Sequence, residues 1–360
     1  MSQHNQTSMR QQGANLKTIL LILVFILIAA AGLSYVKWWP YYHKAIKAIT
    51  DHTIGSSILT GKEPTVPSPS WNAAWSYAVT YYKAVWKAAV LGIVLGSLVQ
   101  VLLPSGWLQR ALGQTSLRNT AIGGMASVPG MMCTCCAAPI AIGLHKKKVS
   151  PAATLAFWLG NPLINPATLI FMTFVLSWKF TVIRIIFGLL ITLGVSYFAA
   201  RLMGNAEVSN ETMEKSMPME PQPQREAPMW RRWMVSMWTM ILNVVPAYFI
   251  SVLVLGAARA WLFPSLGETG MDMALMVIIF SIAGALFVIP TAAEIPIIQS
   301  FLALGFGGGP AAALLVVLPA VSLPSLLMIR SAFPARVVWF ILTAVIGLGL
   351  ISGIVGAIVI

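Results

Sequence analysis

Between Thr18 and Val36 the chain runs through 19 mostly apolar residues without a charged side chain, about the length that crosses the hydrocarbon core of a bilayer. Eight further apolar segments follow, at 84–103, 120–144, 151–177, 180–203, 235–263, 273–304, 310–329 and 335–360. One soluble core could not enclose that much apolar surface. Charged residues make up only 9% of the 360, against roughly 25% in soluble domains, and the mean hydropathy is +0.81. The expected fold is all-α: a polytopic integral membrane protein with about nine apolar spans, whose first partner is the lipid bilayer. A cleaved signal peptide competes for the first segment, because Arg10 and Lys17 precede it and Ala29-Ala30-Ala31 resembles a cleavage site.

The net charge of +13 could suggest nucleic acid in a soluble protein, but here Lys and Arg lie mainly between apolar runs. That placement reads as topology, and no nucleic-acid partner is expected. In a nine-span layout, an outside N terminus puts Lys146-Lys147-Lys148, residues 37–83 and residues 204–232 on one cytoplasmic side. Three cysteines within four positions cannot link distant segments by disulfides.

Four regions are expected. Residues 1–83 hold an N-terminal tail, the first span and an aromatic-rich connection, in which Trp38, Trp39, Tyr41 and Tyr42 mark the membrane surface. Residues 84–203 and 233–360 form two homologous four-segment halves, joined by the polar stretch 204–232 with its five glutamates. The halves share proline punctuation: Pro139, Pro151 and Asn161-Pro162 with Asn165-Pro166 in the first, Pro296, Pro310 and Leu318-Pro319 with Ser322 and Pro324 in the second. Proline interrupts helical hydrogen bonding, and backbone freed at membrane depth is tolerated only where protein or a wet cavity satisfies it. Paired interruptions of this kind point to a transporter's binding site. The segment count leaves open whether the halves run parallel or inverted.

Three groups of residues carry chemistry. Met131, Met132, Cys133, Cys135 and Cys136 crowd sulfur into one interrupted segment, and soft sulfur ligands favour soft metals and metalloids. Met132 and the three cysteines are therefore expected in the substrate path, with Cys133, Cys135 and Cys136 contacting a metal or metalloid; packing of small hydrophobes is the competing reading. Glu294 is the only carboxylate well inside an expected span, so it needs a partner, a wet cavity or a proton. It stands in the second half where the cysteines stand in the first, so the two breaks are expected to face each other, with Glu294 coupling transport to protons. Asn161, Asn165 and Ser322 offer polar groups that can repair freed backbone or hold a solute. The pairs Gly92 and Gly96, and Gly349 and Gly353, read as close helix packing.

Several enzyme classes fail. Glu63 stands where a phosphate-cradling loop ending at Gly61-Lys62 needs Ser or Thr, and no His-Glu-x-x-His pair exists. Asp51 and Asp272, the two aspartates, lie near surface connections, which leaves no intramembrane aspartate pair. No enzyme activity and no resident cofactor are expected.

With Cys133-Thr134-Cys135 followed by Pro139, the turn Lys146-Lys147-Lys148-Val149-Ser150-Pro151 and the motif Asn161-Pro162-Leu163-Ile164-Asn165-Pro166, the sequence resembles the YraQ-like predicted permease family, whose known branch is the ArsP-type organoarsenical efflux permeases. The resemblance covers roughly residues 84–360. Thr134 and Cys136 depart from the family's usual serine and glycine, and the span 18–36 looks like an addition to the shared core. The resemblance implies a multi-pass permease of the bacterial inner (plasma) membrane that exports trivalent organoarsenicals, with motif thiols handling the substrate. The expected function is thus a secondary permease for a small thiophilic solute, with a coupling proton. A membrane thiol oxidoreductase using Cys133 and Cys136 is the alternative from another class, disfavoured by the distance in sequence to the nearest basic run at Lys146. A permease for a different small solute is the other.

Overall fold

The computed structural model describes residues 2–59, 68–203, 228–263 and 272–360, and all regular structure among them is helical. Helix α1 (Ser2–Leu33) passes through a π-helical turn, Ser34–Trp38, into α2 (Trp39–Asp51) without interruption. The long α3 (Trp71–Leu102) starts on the Ser70 hydroxyl, which accepts from Ala73 N at 3.1 Å. Then come α4 (Ser105–Leu112), α5 (Leu117–Ser127), α6 (Thr134–Lys146), α7 (Pro151–Leu163), α8 (Pro166–Val175), α9 (Trp178–Leu189) and α10 (Ser196–Leu202). After the residues outside the description follow α11 (Met229–Leu262), α12 (Met273–Leu286), α13 (Glu294–Ala303), α14 (Gly308–Ala320), α15 (Leu323–Arg330) and α16 (Ala335–Val359).

Among the described residues, seven helical stretches are long and apolar enough to cross a membrane: Thr18–Asp51, Trp71–Leu102, Pro151–Val175, Trp178–Leu202, Met229–Leu262, Gly308–Arg330 and Ala335–Val359. The protein is a multi-pass membrane protein. Two of the nine expected segments, 120–144 and 273–304, are not among these seven, being divided into helices too short to cross, α5 with α6 and α12 with α13. The first span also differs from expectation. Its helix does not stop at Val36 before a surface connection, because Lys37 and Tyr41 turn inward and find partners inside the protein. Of the stretch expected to join two halves, residues 204–227 lie outside the described residues, and α11 begins at Met229, before its expected end.

Burial follows the helical repeat. On α3, Ala74, Tyr77, Ala78, Tyr81, Val85, Ala88, Gly92, Gly96 and Val99 form a buried stripe, while Trp75, Trp86 and Val90 stand exposed towards lipid. The small members of that stripe admit α6 so closely that a side-chain carbon on Gly92 would strike the Cys136 carbonyl. In the later part of the chain α14, buried all round, is held between α12 and α16. Contacts of α6 with α15, and of α7 and α9 with α14, bring residues before 203 against residues after 272. The site forms on that seam.

Candidate functional site

Each divided segment breaks in a similar way. After α5 a short 3-10 turn, Val128–Gly130, leads to Met131 in the left-handed region (φ 49), and Cys133 in extended conformation caps α6. A side chain at Gly130 would collide with the Asn161 amide oxygen, which accepts from Met132 N at 3.4 Å while Asn161 Nδ2 donates to Phe157 O at 2.8 Å. Asn161 thereby ties the break to α7. After α12 the chain runs extended from Phe287, turns through Ala292 (φ 71) and starts α13 at Glu294. Buried Tyr77 on α3 donates its hydroxyl to the Val288 carbonyl there. Trp158 Nε1 gives the Thr134 carbonyl a partner at 3.0 Å. Side chains thus partner Met132 N in the first break and Val288 O in the second, as a membrane interior favours.

The two proline-interrupted segments repeat this logic. Pro162 sits in the last turn of α7 and Asn165 caps α8, accepting from Ala167 N at 3.0 Å and Thr168 N at 3.4 Å. Pro319 sits in the last turn of α14 and Ser322 caps α15 through a capping box with Ser325. A proline at position i leaves the carbonyl at i−4 without its helical donor, so Pro166 orphans Pro162 O and Pro319 orphans Leu315 O. Arg184 on α9 serves both. Its guanidinium donates to Pro162 O at 2.8 Å, to Leu163 O at 3.0 Å, to Leu315 O, and to Glu294 Oε1 at 3.2 Å. Arg184 is fully buried and Glu294 is 1% exposed. Desolvation of such a pair is costly, and the three carbonyls supply the additional hydrogen bonds that make it tenable.

These elements enclose a cavity of about 10 Å³, room for roughly one water molecule. Cys133 and Thr134 line it from the first break, Ile289 to Ala292 and Glu294 from the second, and Pro162, Leu318, Pro319 and Ser322 from the proline junctions. The N-termini of α6, α13 and α15 all border it, so the positive ends of three helix dipoles face one space. Glu294 Oε2 has no hydrogen-bond partner.

The structure brings most of the expected site residues together and separates their tasks. Cys133 Sγ lies 3.0 Å from Cys136 Sγ, and both are free thiols. Cys135 turns instead to Ser322, Sγ to Oγ 3.3 Å, beside the hydroxyl pair Tyr81 and Tyr248, 2.6 Å apart. The three sulfurs therefore split two and one, and among the described residues no group of three His, Cys, Asp or Glu is placed to hold a metal ion. Met132 is buried in the core, engaged through its backbone. Asn161 and Asn165 are fully buried beside the break and the junction, and Asn165 Nδ2 lacks a partner.

Two residues at the site escape a reading of the sequence. Arg184 carried a signal, a cation inside the apolar segment 180–203, which in a membrane marks a functional or paired group. Lys37 carried a misleading one, since a lysine beside aromatics at the end of an apolar run resembles an interface anchor. Its Nζ donates to Thr291 Oγ1 at 3.1 Å in the second break, within electrostatic reach of Cys133 and Cys136. Lys37 is thus a cation that acts electrostatically on the Cys133 and Cys136 thiols.

A family described as "Predicted permease", ArsP_1, matches residues 85–358. The UPF0718 protein YraQ of Escherichia coli strain K12 is 49% identical over 332 residues, 92% of this chain and 93% of that protein. The UPF0718 protein MJ0584 of Methanocaldococcus jannaschii is 37% identical over 101 residues, 28% of each chain. No solved structure matches the chain.

Proposed function

The chain belongs to the ArsP_1 family of predicted permeases and is a membrane transporter, and on that footing we propose that it is a secondary permease exporting a soft, thiophilic solute such as a trivalent organoarsenical. The single observation that carries this reading is the meeting of the thiol-bearing break with the carboxylate-bearing break around one cavity. Cys133 and Cys136 offer two sulfurs to a soft centre, and Glu294 Oε2 offers an acceptor to a hydroxyl on it. A cavity of about 10 Å³ has no room for such a solute, so loading requires the breaks to part. Glu294 is the coupling group, exchanging its hold on Arg184 for a proton.

In this reading residues 84–203 and 233–360 are repeated halves that rock about the cavity. Its support is a common offset: Pro139 and Pro296, Pro162 and Pro319, and the caps Asn165 and Ser322 are each 157 positions apart. The bacterial plasma membrane is the proposed location.

The short Cys133 to Cys136 separation, together with Lys37, also favours a second reading, a membrane thiol oxidoreductase. Purified protein in liposomes separates the two. Protein-dependent flux of methylarsonous acid, with the thiols still reduced after turnover, supports the permease. Thiol–disulfide exchange with a small disulfide, which oxidises Cys133 and Cys136 to a disulfide as it is itself reduced to thiols, together with no flux, supports the oxidoreductase and removes the permease reading.

A further inference from the structure

The helix Thr18–Asp51 is exposed towards lipid along most of its length, yet Leu33, Lys37, Tyr41 and Ala48 on it are buried. The first three are spaced by four, and Ala48 follows seven later, so they form one stripe by which the helix docks. Lys37 lies at the centre of that stripe, 6% exposed, in the π-helical turn. Its ammonium donates to two neutral hydroxyls, Tyr41 Oη and Thr291 Oγ1, both at 3.1 Å. The next residue, Trp38, donates Nε1 to Pro129 O at 2.8 Å. One turn of the N-terminal helix therefore touches both breaks: Pro129 in the first and Thr291, a cavity-lining residue, in the second. Residue 37 lies outside the stretch 85–358 matched by the family.

Counting carboxylates and basic side chains alone, positive charge exceeds negative around the cavity, and the acidic groups facing Lys37 are the Cys133 and Cys136 thiols within its electrostatic reach. Arg184 and Glu294 neutralise each other, and among the described residues that is the one ion pair within 4 Å. Lys37 adds a second buried cation with no carboxylate at ion-pair distance. The N-termini of α6, α13 and α15 add partial positive charge on the same space. A buried charge without a counter-charge is costly in a membrane, and broken helices aim their N-termini at anionic groups of a solute.

From this surplus we infer that the N-terminal helix is a working part of the site and that Lys37 is its charge-selecting residue, favouring solutes that carry a negative group next to the thiophilic atom. The inference rests on the permease reading and narrows its substrate class. Lys37 acts from behind Thr291, as a positioning residue that sets the potential in the cavity. Sulfur binds the soft atom, Glu294 Oε2 takes a hydroxyl of the solute, and the anionic group lies on the Lys37 side.

Two probes of nearly equal shape test this: the 2-sulfonamide of phenylarsonous acid, which is neutral, and its 2-sulfonate, which carries an anionic group beside the arsenic. Flux of each is measured in liposomes holding the purified full chain, Lys37→Met or Lys37→Arg. The expected result is a fall of about tenfold in the anionic-to-neutral flux ratio for Lys37→Met, with neutral flux retained and the ratio kept in Lys37→Arg. Retained neutral flux shows that Lys37→Met is folded. An unchanged ratio, or equal loss of both fluxes, overturns the inference and leaves the permease reading standing. Flux of neither probe by the unsubstituted protein overturns the permease reading itself for arsenicals, and this inference with it.

Discussion

Arg184 on α9 and Glu294 at the start of α13 meet at 3.2 Å, and the guanidinium that holds this carboxylate also holds the Pro162, Leu163 and Leu315 carbonyls. One side chain thus closes the hydrogen-bond deficit created by prolines in two separate segments. Removing it leaves a buried carboxylate and three carbonyls without donors. Arg184→Met is expected to lower stability by about 3–5 kcal/mol, because breaking one partner of a buried pair strands the other. Thermal unfolding in detergent reads this. Arg184→Met with Glu294→Gln should lose less than the sum of the two single changes, and strict additivity would contradict the pairing.

The sulfur arrangement predicts which thiols act together. Cys133 and Cys136 are 3.0 Å apart, whereas Cys135 faces Ser322. Phenylarsine oxide, which bridges two close thiols, should protect two cysteines from maleimide in the native protein and in Cys135→Ser. Protection should vanish in Cys136→Ser. Protection that depends on Cys135 instead would contradict the geometry.

How far this site was legible from sequence depends on range. Pro162 and Pro319 announce breaks locally, because each removes a helical N–H in the last turn of its helix, and Asn165 and Ser322 stand in front of helices as caps do, whereas Pro139 lies inside an unbroken α6 and the first break falls before it, at Val128–Gly130. Glu294 stood out as a carboxylate in an apolar run. What joins these pieces was not legible, because it is set by packing between segments far apart in the chain. Arg184 lies 110 positions from Glu294, and Lys37 lies 254 from Thr291. Lys37 was further hidden by its neighbours Trp38 and Trp39, which look like a membrane-surface cluster until the π-helical turn is seen to carry the helix onwards to Asp51.

The two caps should carry comparable weight. Asn165→Ala and Ser322→Ala are each expected to cost about 1 kcal/mol, the usual loss for a capping side chain. Asn165→Asp keeps the acceptor that serves Ala167 N and Thr168 N and should recover most of that loss. The midpoint of thermal unfolding is the readout, and a midpoint for Asn165→Asp as low as that for Asn165→Ala would contradict the cap.

Packing of α3 on α6 gives a steric prediction. A methyl group on Gly92 meets the Cys136 carbonyl, whereas one on Gly106 meets nothing within 4 Å. Gly92→Ala should destabilise by about 1–3 kcal/mol and disturb the thiol-bearing helix, because a backbone atom cannot move aside as a side chain can. Gly106→Ala should be close to neutral. Equal behaviour of the two in detergent unfolding would show that α3 and α6 are not in this contact.

Proton coupling through Glu294 predicts that an imposed pH gradient drives organoarsenical flux and that a protonophore removes the stimulation. Glu294→Gln keeps a neutral group of the same shape but cannot exchange a proton. Flux in that variant should no longer respond to the gradient. A full response would remove Glu294 from the coupling.

The central claim is that solute passes where the two breaks meet, held by sulfur. Its most direct test is accumulation of methylarsonous acid in everted membrane vesicles, comparing the unsubstituted chain with Cys133→Ser/Cys135→Ser/Cys136→Ser at matched expression. The account predicts accumulation by the former and loss of it in the triple variant. Equal accumulation by both would contradict it, placing the path or its chemistry elsewhere in the protein.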